Sequence, residues 1–111
     1  MLVIYRVPDS VQLEQFVATE GKGHNIKEIR LGKISLEKHI RLGKMLPDME
    51  NISHFEDSHI HSIETKQLYK ACDLTLSMGT VSDEDFSILS DFCLILETAV
   101  QFNEGIITIC D

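Results

Sequence analysis

The chain has no tryptophan and only two prolines and three cysteines among its 111 residues. Three scattered cysteines do not make a disulfide framework, and this pattern is typical of reduced thiols. No apolar run exceeds five residues, whereas a membrane-spanning helix needs about 20, so no membrane contact is expected. Basic side chains are also few: ten stand against eighteen acidic ones, and the formal net charge is −8. Such an excess favours basic partners.

The composition and the first residues predict a soluble cytoplasmic protein. Arg6 and Pro8 directly follow a short apolar start, which is not the order of a secretory signal. A hydrophobic content of 43% is sufficient for one packed domain over residues 1–111. The cysteines each stand at an apolar position of their segments and are expected to be buried: Cys72, Cys93 and Cys110.

The charged residues are unevenly distributed. Residues 21–46, the basic segment, hold seven of the ten basic residues and two of the eighteen acids. The seven are Lys22, Lys27, Arg30, Lys33, Lys38, Arg41 and Lys44. The segment has no Phe, Tyr or Trp to stack on bases, and the acidic remainder repels a polyanion, so specific binding to nucleic acid is not expected. We favour pairing of these basic side chains with the chain's own carboxylates or with those of a second copy, so a homodimer is left open.

The basic segment contains an internal repeat. Ile29–Lys33 recurs unchanged as Ile40–Lys44, eleven residues later. In a single helix the two copies would lie on nearly the same face. A glycine in each copy disfavours one long helix, so we instead predict an extended stretch around residues 26–31 and a helix over residues 35–46 that ends at Pro47.

Both ends of the chain are apolar and β-branched, which is typical of strands. Leu2–Val7 and Ile106–Cys110 are therefore predicted to pair in a small sheet that ties the two ends together. A helix is predicted after the first strand, with Asp9 or Ser10 as its N-cap and Gly21 at its C-terminal end.

Two longer helices are predicted in the second half. The first begins near Ile63 and ends at Gly79. The polar, turn-rich residues 47–62 before it are predicted to form a loop or short helical turns. The second covers residues 83–102, with Ser82 as its N-cap. These elements together predict a predominantly helical α+β domain of about four helices, with a small sheet joining the N- and C-terminal strands. An all-α fold is the alternative.

The chain carries no signature of catalysis. It lacks a Gly-x-Ser-x-Gly motif, a glycine-rich phosphate loop and a cysteine in a nucleophile motif, so it is not expected to be an enzyme. His54, His59 and His61, with Glu56 and Asp57 between them, are the only cluster of ligand-type residues. Because no cysteine lies at ligand spacing and no His-Glu-x-x-His motif is present, we predict solvated histidines, with no metal and no cofactor.

The predicted helix over residues 83–102 has a polar side on which Leu94 is the only apolar residue. An apolar residue rimmed by acids has the composition of a small binding anchor. Burial of Leu94 under another layer of the fold is the alternative. The predicted partner-binding residues are Asp83, Glu84, Asp91, Leu94 and Glu97.

A small acidic chain without a catalytic signature is most simply a protein-binding inhibitor or adaptor. In size and charge this chain is similar to the immunity proteins of bacterial toxin and immunity pairs. The resemblance implies an antitoxin role and a basic partner, a toxin or nuclease domain whose active site is occluded. Charge would steer the acidic chain into the basic groove of such a partner. Two alternatives remain: a nucleic-acid-binding regulator that uses residues 22–44, and a metal-dependent enzyme that uses His54, His59 and His61.

Overall fold

A four-stranded antiparallel sheet is the frame of the computed structural model, which describes all residues 1–111. The strands are β1 (Leu2–Val7), β2 (Arg30–Ile34), β3 (Ser58–Ile60) and β4 (Gly105–Cys110). Their order across the sheet is β2, β1, β4, β3. The α-helices are α1 (Leu13–Ala18), α2 (Ile26–Ile29), α3 (Leu36–Met45), α4 (Ser62–Met78) and α5 (Asp83–Gln101). A 3₁₀ helix over Pro47–Asn51 follows α3.

The two ends of the chain form the two central strands of the sheet. β1 and β4 are antiparallel and in register from Leu2 opposite Cys110 to Val7 opposite Gly105. This pairing confirms the sheet predicted between the terminal strands. Because side chains alternate along a strand, Leu2 and Ile4 face one side of the sheet and Val7 faces the other.

Helices cover the two faces of the sheet unequally. Side chains of α3, α4 and α5 join those of the strands in a core of sixteen buried residues, which includes Ile4 and Phe92. Full burial of each such side chain contributes about 1.5–3 kcal/mol. On the opposite face Phe16 of α1 packs with Val7 and Ile107, and α2 contributes Ile26. The predicted α+β class with a helical majority is correct, and the fold has five α-helices rather than four.

The two copies of the repeat adopt different structures. The first copy begins at the end of α2 and continues as β2, whereas the second lies within α3. β2 is held by antiparallel pairing with β1, with Lys33 opposite Val3. The predicted extended stretch is therefore displaced, because residues 26–29 are helical and the strand begins at Arg30. The copies do not stack, so Arg30 and Arg41 do not share a face.

The start of α1 differs from its prediction. The helix begins at Leu13, and its N-cap, Gln12, makes no side-chain cap. Asp9 instead accepts hydrogen bonds from the backbone N–H of Ser62 at 2.7 Å and from its hydroxyl at 2.6 Å. The hydroxyl bond is the main reason why the pKa of Asp9 is lowered. Residues 47–62, predicted as a loop or short helical turns, contain the 3₁₀ helix and the short strand β3, and only the strand was not indicated by the sequence pattern.

The ends of the long helices agree with the sequence signals. Gly79 ends α4 in the left-handed conformation, with φ of 65°. At the start of α5 the Ser82 hydroxyl accepts a hydrogen bond from the backbone N–H of Asp85 at 3.2 Å. The cysteine prediction is correct for Cys72 and Cys93, which are buried, and wrong for Cys110, which lies exposed at the end of β4.

Candidate partner-binding site

Leu94 lies at the centre of the outer side of α5, with 62% of its surface exposed. The helix is fixed in rotation because Leu89, Phe92 and Leu96 on its inner side are buried. Residues three and four positions away on a helix are neighbours, so Leu94 is surrounded by polar side chains. These neighbours are Ser90, Asp91, Glu97 and Thr98. The alternative of a buried Leu94 is therefore excluded.

The predicted acidic residues occupy different environments around Leu94. Asp83 is exposed and makes no salt bridge, whereas Glu84 contacts Arg41 at 3.4 Å. Asp91 borders a small cavity of about 70 Å³ whose wall also includes Lys33 and Lys38. The negative charge of the site is thus partly balanced on the side that faces the basic segment.

The other side of the site borders α4. Glu97 of α5 lies near Tyr69 of α4, where its negative charge is the main reason why the pKa of the tyrosine is raised. Asp83 and Glu84 lie about 16 Å along the helix from Leu94, at 1.5 Å per residue. The five predicted residues therefore share one face of α5, with Asp91, Leu94 and Glu97 as its compact part and Asp83 and Glu84 as its distal end.

Arg41 links the basic segment to the start of α5. Its guanidinium donates to Asp85 at 2.9 Å and lies 3.4 Å from Glu84 and 3.8 Å from Glu37. The hydrogen bond to Asp85 is the main reason why the pKa of Arg41 is raised. The expected pairing of the basic segment with the chain's own carboxylates thus occurs at this residue. The segment's other six basic residues are exposed and make no salt bridge: Lys22, Lys27, Arg30, Lys33, Lys38 and Lys44.

The histidines of residues 54–61 do not form one cluster. Nδ1 of His54 lies 3.0 Å from Nδ1 of His39, a residue of α3 that sequence reasoning had not connected with it. His59 stacks on His61, with ring centroids 4.3 Å apart. Burial is the main reason why the pKa values of His39, His54 and His59 are lowered. No group of three or more His, Cys, Asp or Glu side chains has an arrangement suited to a metal ion.

An apolar groove lies between α3 and the segment that follows it. It is a shallow, open depression of about 490 Å³, and its lining includes Leu36, Ile40, Met49 and the two paired histidines. Phe55 stands at its edge with 76% of its surface exposed. Sequence reasoning missed this groove because the polar residues 47–62 were interpreted as a loop or short helical turns, with no surface shared with α3. The available signal was Leu36 and Ile40, which lie one turn apart on a helix otherwise rich in charge.

The buried thiols lie between α4 and α5 and are chemically protected. Burial is the main reason why the pKa of Cys72 is raised, to about 12, and the nearby Cys93 adds to the effect. The pKa of Cys93 is also raised, mainly by burial. A thiol nucleophile must ionise, so these two residues are suited to packing rather than to chemistry.

None of the five α-helices is both long enough and apolar enough to cross a membrane. The face of α5 around Leu94 and the groove beside α3 both have features of a binding site. No protein-family model, no curated protein and no solved structure matches this chain.

Proposed function

We propose that the protein is a protein-binding inhibitor that docks the Leu94 face of α5 onto a basic partner. The partner we favour is a toxin or nuclease domain. The protein would occlude the active site of this partner, as immunity proteins do with their toxins. The observation that carries the proposal is the exposure of Leu94 at the centre of a polar helix face. The proposed function is that of a binding protein and requires neither a metal nor a cofactor.

An exposed leucine on a rigid helix is an efficient anchor. Its apolar surface would be removed from water on binding, at about 25 cal/mol per Å². Because α5 is held by buried side chains along its inner side, the anchor needs little ordering when it binds. Polar neighbours around an apolar centre exclude water from the contact, which is the usual arrangement of a binding hot spot.

The charge of the chain would act on the rate of association. With a net charge of −8, the protein attracts a basic surface from a distance. Glu97 and Asp83 are expected to contribute more to this steering than Asp91, since Lys33 and Lys38 lie beside Asp91. Reversal of a peripheral charge mainly slows association and reduces its dependence on salt.

Leu74 of α4 provides a matched control for the anchor. Both leucines have 62% of their surface exposed, but Leu74 is outside the proposed site. The intact protein would first be used to capture its partner from the native cell extract. We expect one stoichiometric basic protein whose nuclease activity the captured chain suppresses. Leu94→Ala should speed dissociation by about tenfold or more, and Leu74→Ala should leave it unchanged.

Three outcomes would contradict the proposal. One is equal dissociation rates for the Leu94→Ala and Leu74→Ala variants. Another is a loss of about 2–5 kcal/mol in the stability of the free Leu94→Ala variant, since a loss of this size belongs to a core residue. The third is capture of nucleic acid that is lost on Arg30→Glu, which would favour the regulator that uses residues 22–44.

A further inference from the structure

An apolar stripe runs along the outer side of α3. Leu36 and Ile40 are exposed one turn apart, and Gly43 continues the stripe. A Cβ atom added at Gly43 would meet no atom within 4 Å, so the helix backbone is open to close approach there. Leu42 anchors the opposite side of α3 in the core. The stripe is therefore a helix face that the chain itself leaves uncovered.

An exposed aromatic ring, that of Phe55, projects at the edge of the groove beside this stripe. Phe55 is 76% exposed and packs edge-on to His54, with ring centroids 5.7 Å apart. The groove of about 490 Å³ runs from Phe55 to Leu36 and Ile40. A two-fold axis that passes between the ring and the groove would place the ring of each copy beside the groove of the other.

The charges beside the stripe are also complementary to those of a second copy related by a two-fold axis. Glu37 precedes Ile40 by three residues and Lys44 follows it by four, and both lie on one side of the stripe. Lys44 makes no salt bridge, and the only one of Glu37 is the 3.8 Å contact with Arg41, which leaves its side chain 77% exposed. If α3 lies antiparallel to α3 of a second copy, with Ile40 near the axis, Glu37 of each copy faces Lys44 of the other.

We propose that the chain forms a two-fold homodimer in which α3 packs antiparallel against α3 of the second copy and Phe55 of each copy enters the groove of the other. The apolar stripe and the two Glu37–Lys44 pairs set the direction of the helices. The partner-binding face of α5 stays free, because Arg41, which points to α5, lies about 100° around the helix from Ile40. The dimer does not depend on the proposed inhibitory function.

The dimer is tested by sedimentation of the whole chain at increasing concentration. Each copy contributes one ten-residue helix and one projecting ring, so we expect a dissociation constant on the order of 10 µM. Ile40→Glu should weaken the dimer by at least about tenfold, because two carboxylates would meet at the axis. Leu74→Glu, at an equally exposed leucine of α4, should leave it unchanged. A chain that is monomeric up to about 500 µM would overturn the proposal.

A charge exchange tests the direction of packing. Glu37→Lys alone and Lys44→Glu alone should each weaken the dimer by about fivefold, since each places like charges opposite one another twice. The double variant should recover the wild-type dissociation constant to within about twofold. Failure of the double variant to recover, while both single variants melt as the wild type does, would refute the antiparallel arrangement. A dimer lost on Leu74→Glu and kept on Ile40→Glu would place the interface on α4 instead.

Discussion

Replacement of Glu104 by glutamine is expected to destabilise the protein by about 2–3 kcal/mol. The carboxylate of Glu104 accepts a hydrogen bond of 2.6 Å from Arg6, and the two side chains are only 15% and 9% exposed. The Arg6 guanidinium also lies 3.6 Å from the centre of the Phe102 ring. The substitution would leave this buried cation with a neutral acceptor and the ring as its remaining contacts.

The magnitude follows from the burial of the pair. Removal of one partner of a fully buried ion pair costs about 3–5 kcal/mol, and an exposed pair contributes about 1 kcal/mol or less. Glu104 is slightly exposed, and the amide of glutamine still accepts a hydrogen bond, so the loss should fall between these limits. For a chain of this length, about 4 °C of melting temperature corresponds to each kcal/mol, which predicts a decrease of about 8–12 °C.

Thermal and urea unfolding of three variants would measure the effect. The matched control is Glu84→Gln, which removes a carboxylate 3.4 Å from Arg41 on the exposed surface and should melt close to the wild type. The double variant Arg6→Met with Glu104→Met should recover most of the lost stability, because it leaves no unpaired charge. The reasoning is refuted if Glu104→Gln melts like Glu84→Gln, or if the double variant is less stable than Glu104→Gln.

Two further predictions concern the glycines and the paired histidines. Gly105→Ala should lower the free energy of unfolding by about 2–3 kcal/mol, because the added Cβ would collide with the carbonyl oxygen of Ile60. Gly43→Ala should raise it by about 0.5–1 kcal/mol, because the position is open and alanine favours the helix. Urea unfolding of dilute samples measures both, and equal effects of the two substitutions would contradict the geometry. Because burial lowers the pKa of His39 and His54 in the folded protein, the unfolded chain takes up protons first, so stability should fall as the pH decreases from about 6.5 through the folded pKa. The His39→Gln variant should show a smaller pH dependence over this range, and an unchanged dependence would refute the assignment.

Local signals were sufficient for the parts of the fold that the sequence predicted. Ser82 caps α5 and Gly79 ends α4, and each acts within a few residues of its own position. The terminal strands could be predicted because β-branched residues are concentrated at both ends of the chain. The outward orientation of Leu94 likewise follows from the helical period alone, since Leu89 and Leu96 define the inner side of α5.

Contacts between residues far apart in the sequence determine the parts of the fold that local sequence patterns did not predict. Arg30–Lys33 is extended because β2 pairs with β1, although the identical residues Arg41–Lys44 are helical in α3. β3 is only three residues long and depends on its pairing with β4. Asp9 was a suitable N-cap for α1, but it bonds to Ser62, fifty-three residues away. Local preference is a weak constraint where tertiary contacts compete with it.

The two proposed binding surfaces are connected through Arg41. On one side Arg41 binds Asp85 and Glu84 and so holds the start of α5 against α3. On the other side it lies near Glu37, which flanks the apolar stripe of α3. A dimer built on the stripe would therefore carry two α5 faces at a fixed spacing, each held through this ion cluster. A partner that presents two basic sites would bind such a dimer more tightly than one face alone, because its second contact is intramolecular. The uneven charge of the sequence thus has a structural consequence: the basic segment supplies Arg41, which pairs with Glu84 and Asp85 at the start of α5, while Asp83 and Asp91 stay exposed without a salt bridge.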